Sequence, residues 1–328
     1  MYIIFVTVGG SHVSHTLTNN PRYDKLSSAG GIAPKRKKTA ETEDFMHKLQ
    51  TLVDLLTCGR NLHICIHDLS GILKAESREL EFENKIHSKK FCSIAKETKA
   101  GLELCLRCKA AANTKAVKEG VPFTGHCPLG IWEAAYPVVH DGTVKAIVYV
   151  GNYIVNTADT EKRIEKTCRL TGADSTALKS LLSECEITDN ISEAMKIAGF
   201  TGDYMLMLPD AEPSSDSLHW AVKNLKNYAD TWYEKNLSLK SLAALYFINE
   251  KYIGRLFKKQ IGMSFREYLC SVRLHRAEQL LASSDRQVID IALECGFENV
   301  TYFNRVFAKK HGMTPLQYRA EKIRLKKQ

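Results

Sequence analysis

The chain has 328 residues, of which 44% are hydrophobic and 25% are charged, a composition that is ordinary for a folded protein of two or three domains. This composition excludes a disordered, fibrous or membrane-embedded protein. The first apolar run, Tyr2–Val8, is too short to cross a bilayer and has no basic segment before it, so it does not read as a signal peptide. We therefore expect a cytoplasmic protein with no membrane segment.

The net charge of +9 is unevenly distributed. Residues 217–328 contain 20 basic and 10 acidic residues, a net charge of +10, whereas residues 1–216 contain 26 and 27, a net charge of −1. A basic domain joined to a near-neutral one is typical of a nucleic-acid-binding protein with a separate sensing or oligomerising domain. A solvated basic surface is the alternative, and charge alone does not decide between the two.

The first 40 residues show little periodicity and contain several Gly, Ser and Pro residues, which predicts a disordered or loosely ordered extension. Met46 offers an alternative translation start. From Phe45 to Leu56 one apolar stripe predicts a helix. The alternating residues 62–66 predict a strand that turns at Asp68–Gly71 and continues as the second strand of a hairpin.

Further along, residues 91–119 are predicted to be helical, and residues 123–154 to form strands with Asp141-Gly142 as a hairpin turn. A helical segment over 159–207 follows. These elements predict an α+β domain with an antiparallel sheet over residues 41–208, followed by a polar linker at 209–217.

From residue 218 onward every predicted element is a helix. Ser238, Asn249, Asn299 and Thr314 stand where N-caps are expected, and Ser264 with Glu267 forms a capping box. Glycines end the helices, and the order of a short helix, a tight turn and a second helix occurs twice, which predicts two helix-turn-helix units. A connecting helix of roughly 18 residues would be about 27 Å long, so one chain could reach two successive major grooves.

The C-terminal region resembles the AraC/XylS family of transcription regulators over about residues 218–325. The first unit contributes Leu256–Lys259 and Gly262 to this resemblance. The second unit contributes Gly296-Phe297, Tyr302-Phe303, Phe307, Lys309-Lys310, Gly312, Thr314-Pro315 and Tyr318-Arg319. The resemblance implies an all-α domain over 218–328 that binds double-stranded DNA through both recognition helices.

Transfer by position gives nine expected DNA-binding residues on the two recognition helices. They are Lys251, Gly254, Arg255, Lys258, Val300, Thr301, Asn304, Arg305 and Lys309. The arginines suit a bidentate contact to guanine and Asn304 suits adenine, whereas the lysines suit phosphates. Since Gly254 and Val300 could make only apolar or backbone contacts, the first helix is expected to read fewer bases. A solvated helix face is the alternative, chiefly for Lys258 and Lys309.

Residues 45–200 resemble the PocR sensory domain. The resemblance rests on Phe91-Cys92, Cys105, Cys127, Gly130-Ile131, Glu133, Pro137 and Gly142. It implies a PAS-like fold that binds a small organic effector, with short hydroxylated compounds such as propanediol as the best-known class. The chain departs from the pattern at residues 151–153, where a second glycine and a glutamine are expected. The expected ligand-binding residues are Cys92, Cys105, Cys127, Trp132 and Tyr136, of which the last two could equally be core residues.

Ten cysteines without a secretory signal argue against a disulfide framework. An alternative function is a metal- or redox-sensing regulator in which Cys92, Cys105, Cys108 and Cys127 hold zinc or an iron–sulfur cluster, with His126 as a substitute ligand. Core packing of free thiols is the simpler interpretation. No catalytic motif accompanies these residues, so we expect a non-enzymatic activator, with RNA polymerase and a second copy of the chain as further partners.

Overall fold

A computed structural model describes residues 5–6, 48–210 and 218–326 of the chain. The N-terminal domain is built on one sheet with the strand order β1-β3-β4-β5-β2, in which β6 pairs in parallel with the end of β5 and all other pairs are antiparallel. The strands are β1 (Phe5–Val6), β2 (His63–Asp68), β3 (Phe123–His126), β4 (Trp132–His140), β5 (Thr143–Ile154) and β6 (Glu186–Ile187).

Helices cover both faces of this sheet. They are α1 (Leu49–Thr57), α2 (Lys90–Ala95), α3 (Lys99–Glu119), α4 (Thr157–Thr171), α5 (Ser175–Ser180) and α6 (Ser192–Met207). Because strand side chains alternate between faces, Val148 and Val150 of β5 pack in the core beside α1 and α6. Tyr149 points the other way, into the core beside α3.

The C-terminal domain contains seven helices in its described part. They are α7 (Trp220–Thr231), α8 (Leu239–Leu245), α9 (Glu250–Ile261), α10 (Phe265–Ser283), α11 (Val288–Glu294), α12 (Val300–His311) and α13 (Pro315–Lys326). The predicted caps of α8, α9 and α12 and the capping box of α10 are confirmed. None of the described helices has the length and apolarity that a membrane span requires.

The hairpin predicted at Asp68–Gly71 is wrong. The Asp68 carboxylate accepts hydrogen bonds from the backbone N–H groups of Ser70, Gly71 and Ile72 at 2.6–3.1 Å, so the chain turns into short 3₁₀-helices after β2 rather than into a second strand. The partner of β2 is β5, more than seventy residues later.

The single helical segment predicted over 159–207 is also too simple. Gly172 ends α4 in the left-handed conformation with φ of 72°, and the Asp174 side chain caps α5. A short 3₁₀-helix and β6 then precede α6. The predicted extension 1–40 and linker 209–217 lie outside the described residues, except that Phe5 and Val6 pair with β3 and residues 209–210 follow α6.

Candidate nucleic-acid interface and sensor cavity

The first helix-turn-helix unit consists of α8 and α9. The Asn249 side chain accepts a hydrogen bond from the Tyr252 backbone N–H at 3.1 Å, which starts α9. Ile253 and Phe257 on its inner face are buried, since they pack against α7, α8 and α10 in one core. The opposite face of α9 exposes Lys251, Arg255 and Lys258 to solvent.

The second unit, α11 and α12, repeats this arrangement. The Asn299 side chain accepts from the Tyr302 N–H at 3.0 Å, and Phe303 and Phe307 are buried. The exposed face of α12 carries the other polar residues expected to bind DNA, which are Thr301, Asn304, Arg305 and Lys309. Both units therefore present a polar, basic helix face to solvent.

The arginines on these two faces are not neutralised by carboxylates. Among the described residues, no Asp or Glu oxygen lies within 4.0 Å of the Arg255 or Arg305 guanidinium. Arg305 lies over the Tyr302 ring, 5.4 Å from its centroid, whereas Lys310 is held by the Glu278 carboxylate at 2.7 Å. The two arginines thus keep their hydrogen-bond donors available for an anionic or polar partner.

Gly254 and Val300 are placed differently from the other seven expected residues. A Cβ atom on Gly254 would lie 3.2 Å from the Leu239 side chain of α8, so this glycine permits close packing of α8 on α9. Val300 is half-buried against the second core. Their positions support a packing role, and their contribution to DNA contact stays a prediction.

The two units are related by a shift of fifty residues. Asn249 and Asn299, Phe257 and Phe307, and Gly262 and Gly312 form equivalent pairs at this spacing. By the same shift, Asn304 occupies the position of Gly254. The exposed position that carries an asparagine in the second unit therefore has no side chain in the first.

The loop between α7 and α8 contacts both α10 and the second unit. The Arg273 guanidinium on α10 donates to the carbonyls of Tyr233 and Lys235 at 2.6 and 2.9 Å. Gly296, in the turn between α11 and α12, has φ of +85°, and a Cβ atom there would lie 2.7 Å from the Glu234 carbonyl oxygen. The relative position of the two units therefore depends on this close backbone approach.

A small cavity lies in the N-terminal domain between β5 and α2. Its volume is about 40 Å³, which is room for roughly three water-sized groups. Residues from the strands, from α2 and from the loops line it: His63, His87, Lys89, Cys92, Cys127, Ile131, Glu133, Tyr149, Gly151 and Asn152. Outside its wall, the Lys109 ammonium donates to the Glu133 carboxylate at 2.5 Å and lies 3.5 Å from the Tyr149 ring centroid.

The residues expected to bind the effector are divided among several places. Cys92 and Cys127 line this cavity, and Cys105 lines a second cavity at the contact with the C-terminal domain. Trp132 and Tyr136 share the other face of β4 and pack in the core beside α6. Trp132 and Tyr136 do not line the cavity because side chains alternate along β4, so that Glu133 points toward the cavity and its neighbour Trp132 points away.

The cysteines do not assemble into a metal site. Within residues 48–210 and 218–326, no three His, Cys, Asp or Glu side chains are grouped closely enough to hold a metal ion. Cys108 lies on an open groove beside α4 and does not line the cavity. Burial raises the pKa of the Cys92 thiol to about 11 and that of Cys108 to about 12, so both are protonated at neutral pH. The placement gives the metal- and redox-sensing alternative no support.

Three histidines, of which His67 is buried and His63 and His87 are half-buried, surround the cavity and the face of the sheet behind it. Burial lowers the pKa of His63 to about 4 and that of His67 to about 3, and it also lowers the pKa of His87. The nearby lysines act in the same direction on all three. The imidazoles are therefore neutral at pH 7.

We expect acid to destabilise the N-terminal domain between about pH 6.5 and pH 5. In this range the unfolded chain protonates His63, His67 and His87 while the folded chain does not, so the free energy of unfolding falls as the pH falls. Each histidine contributes up to about 1.4 kcal/mol per pH unit. Urea unfolding at several pH values would measure the slope. His140→Gln, which alters an exposed histidine, should leave the slope unchanged, and a flat profile would contradict the expectation.

The two domains share a buried polar contact that sequence patterns did not reveal. Asn113 of α3 is fully buried and donates to the Leu245 carbonyl at the end of α8, at 2.7 Å. It accepts a hydrogen bond from the Tyr149 hydroxyl at 2.6 Å, and its amide lies 3.1 Å from His67 Nδ1. One side chain thus joins the sheet beside the cavity to the first helix-turn-helix unit.

Lys96 forms a second contact between the domains. Its side chain is buried, its ammonium donates to the His87 carbonyl, and it lies 4.2 Å from the centroid of the Trp232 ring after α7. Around it, Leu102 and Leu106 of α3 pack in one core with α7 and α8. His87 lines both cavities, so the cavity beside α2, called the sensor cavity below, and the domain contact share a residue.

A sensory-type domain docked on a pair of helix-turn-helix units defines a transcription regulator. Comparisons with known families agree: the sequence model for the sensory domain found in PocR matches residues 45–205, and that for a helix-turn-helix domain matches residues 242–321. Together these matches support an AraC-family transcription regulator with an N-terminal PocR sensory domain.

The curated relatives match a limited part of the chain. The HTH-type transcriptional activator RhaR of Yersinia pseudotuberculosis is 45% identical over 75 residues, which cover 23% of this chain and 26% of RhaR. The uncharacterized HTH-type regulator YtdP of Bacillus subtilis is 40% identical over 90 residues, 27% of this chain and 12% of YtdP. The chain thus spans about a quarter or less of the length of these relatives.

Among solved structures, the C-terminal domain of AraT, a response regulator from Geobacillus stearothermophilus, is 30% identical. The match covers 32% of this chain and 87% of that domain, with a TM-score of 0.31.

Proposed function

We propose that the protein binds a specific double-stranded DNA site through α9 and α12 and that a small organic effector in the sensor cavity controls this binding. The paired basic faces carry the proposal: Arg255 and Arg305 are equivalent residues, fifty positions apart, both exposed and both without a carboxylate partner among the described residues. The connecting helix α10 has 19 residues, about 28 Å at 1.5 Å per residue, which suits two successive major grooves.

The control step requires the effector to bind one arrangement of the domains better than another. The packing of α3 against α8 supports this step, since it places the first helix-turn-helix unit directly on the sensory domain. A PAS-like fold is part of the proposal, and the pairing of the first long strand, β2, with the last long strand, β5, supports it. Activation through RNA polymerase and a homodimer stay predictions from the resemblance.

Arg305→Ala is expected to weaken specific DNA binding by about 1–3 kcal/mol and to relax specificity at one base pair. Arg255→Ala should act at a different base pair, because its helix enters the neighbouring groove. The measurement is the affinity of the full chain, at one fixed salt concentration, for a duplex that the wild-type chain selects from random-sequence DNA.

Arg169→Ala is the matched control, because it removes the same charge from an exposed position on α4 of the sensory domain. It should leave the affinity within experimental error. Equal losses for Arg169→Ala and Arg305→Ala would indicate nonspecific attraction by net charge and would contradict the assigned interface.

A further inference from the structure

The sensor cavity contains more positive than negative charge. Lys89 lines it directly, and among the described residues no carboxylate oxygen lies within 4.0 Å of its ammonium. Lys109 contacts Glu133 from outside the wall, and the buried Lys96 lies with Lys109 on the second cavity, which shares His87 with the first. Glu133 provides the one carboxylate among the residues that line the cavity. One ammonium group on the cavity wall and two outside it therefore stand against a single carboxylate.

The Glu133 carboxylate is already engaged on both oxygens. Its Oε1 accepts from Lys109 at 2.5 Å, and its Oε2 lies 3.4 Å from His87 Nε2. Lys96 donates to a carbonyl and contacts an aromatic ring, neither of which carries a formal negative charge. The positive charges of Lys89 and Lys96 are thus left uncompensated at a partly desolvated site, which is unfavourable in the absence of an anion.

Other groups around the cavity leave Lys89 as the main donor for a ligand. The Asn152 amide donates instead to the carbonyls of Asn61 and Glu184. The Cys92 thiol is neutral and a weak donor. Burial is the main cause of the lowered pKa of His63, and Lys89, Lys96 and Lys109 lower this pKa further, as a positive potential in the cavity does.

The size and walls of the cavity restrict what the anion can be. A volume of about 40 Å³ admits only a few non-hydrogen atoms. Ile131 and the ring of Tyr149 provide apolar surface on its wall, which favours a short alkyl chain over a fully polar ion such as phosphate.

We infer that the effector is a short organic carboxylate whose negative charge is bound by Lys89, rather than the neutral diol that the family resemblance implies. This inference rests on the proposed function, in which the cavity is the effector site. To the proposed function the inference adds the charge of the ligand and the residue, Lys89, that selects a ligand of that charge.

Three compounds with the same carbon skeleton and hydroxyl group test the charge: lactate, propylene glycol and isopropanolamine, which are negative, neutral and positive at pH 7. Calorimetric titration of the full chain at equal ionic strength should show lactate binding roughly tenfold or more tighter than the other two. Lys89→Gln should weaken lactate binding by a similar factor and leave propylene glycol unchanged. Lys90→Gln, at the exposed neighbouring position, is the matched control and should change neither.

Glu133→Gln gives a second, opposite test, because removing the carboxylate should strengthen lactate binding, provided that circular dichroism shows a folded chain. Preferential binding of propylene glycol or isopropanolamine would overturn the inference but leave the effector cavity of the proposed function intact. Binding of none of the three would also overturn it. The DNA affinities of the Arg255→Ala and Arg305→Ala variants test the proposed function separately, since they need no effector.

Discussion

Replacing Gly296 by alanine is expected to destabilise the C-terminal domain by about 3 kcal/mol and to abolish specific DNA binding. Two costs combine. An L-residue at φ of +85° costs about 1–2 kcal/mol, and the new Cβ would lie 2.7–2.9 Å from backbone atoms of Tyr233 and Glu234. Since backbone cannot rotate away as a side chain can, the loop must shift, at a further cost of about 1–3 kcal/mol.

Gly312→Ala is the matched control for this variant. Gly312 also has a positive φ, of +71°, but no atom lies within 4 Å of its added Cβ. It should cost only the backbone term, about 1–2 kcal/mol. Urea unfolding and DNA affinity measured on both variants separate the terms. Equal losses of stability would show that the close approach to Glu234 contributes nothing.

Replacing Asn113 by leucine is expected to loosen the contact between the domains and to destabilise the chain by about 2–4 kcal/mol. Leucine has nearly the same shape but neither donates nor accepts. The Leu245 carbonyl and the Tyr149 hydroxyl then lose their partner at a fully buried site, and each unsatisfied group costs about 1–3 kcal/mol. Hydrogen exchange of the α8 amides should accelerate, because α8 loses its polar anchor on α3.

Thr201→Val on α6 serves as the control for this variant. Thr201 is also fully buried, but its hydroxyl donates to the Ile197 carbonyl of its own helix, in the core on the other face of the sheet. The variant should lower stability slightly without changing exchange in α8. If both variants accelerate exchange in α8 equally, the effect reflects general destabilisation and not the contact between domains.

The C-terminal fold could be predicted because the residues that determine each helix lie within or next to that helix in the sequence. Caps such as Asn249 and Asn299 lie next to the helices they start, and the apolar stripes that end in Phe257 and Phe307 repeat at a fixed spacing. The outward faces of α9 and α12 follow directly from these inner faces. This is why seven of the nine expected DNA-binding residues are exposed polar side chains.

The sensor cavity and the domain contact could not be predicted because they depend on tertiary contacts. Asn113 lies in a helix rich in Ala and Lys that resembles a surface helix, but contacts with the sheet and with α8 bury it. Alternation along β4 predicts that Trp132 and Glu133 point in opposite directions, but not which direction faces the cavity. Likewise, the Asp68 carboxylate replaces the expected hairpin by a side-chain turn that strand periodicity does not encode.

The unequal residues Gly254 and Asn304 have a consequence for the gene that such a protein controls. A symmetric dimer binds a palindromic DNA site, and its two possible orientations on that site are equivalent. Here two different reading helices are joined in one fixed order by α10. On the proposed function, the site has a stronger and a weaker half, so it gives the bound regulator a direction along the DNA. Inverting the site without moving it should therefore turn the sensory domain from one flank of the promoter to the other.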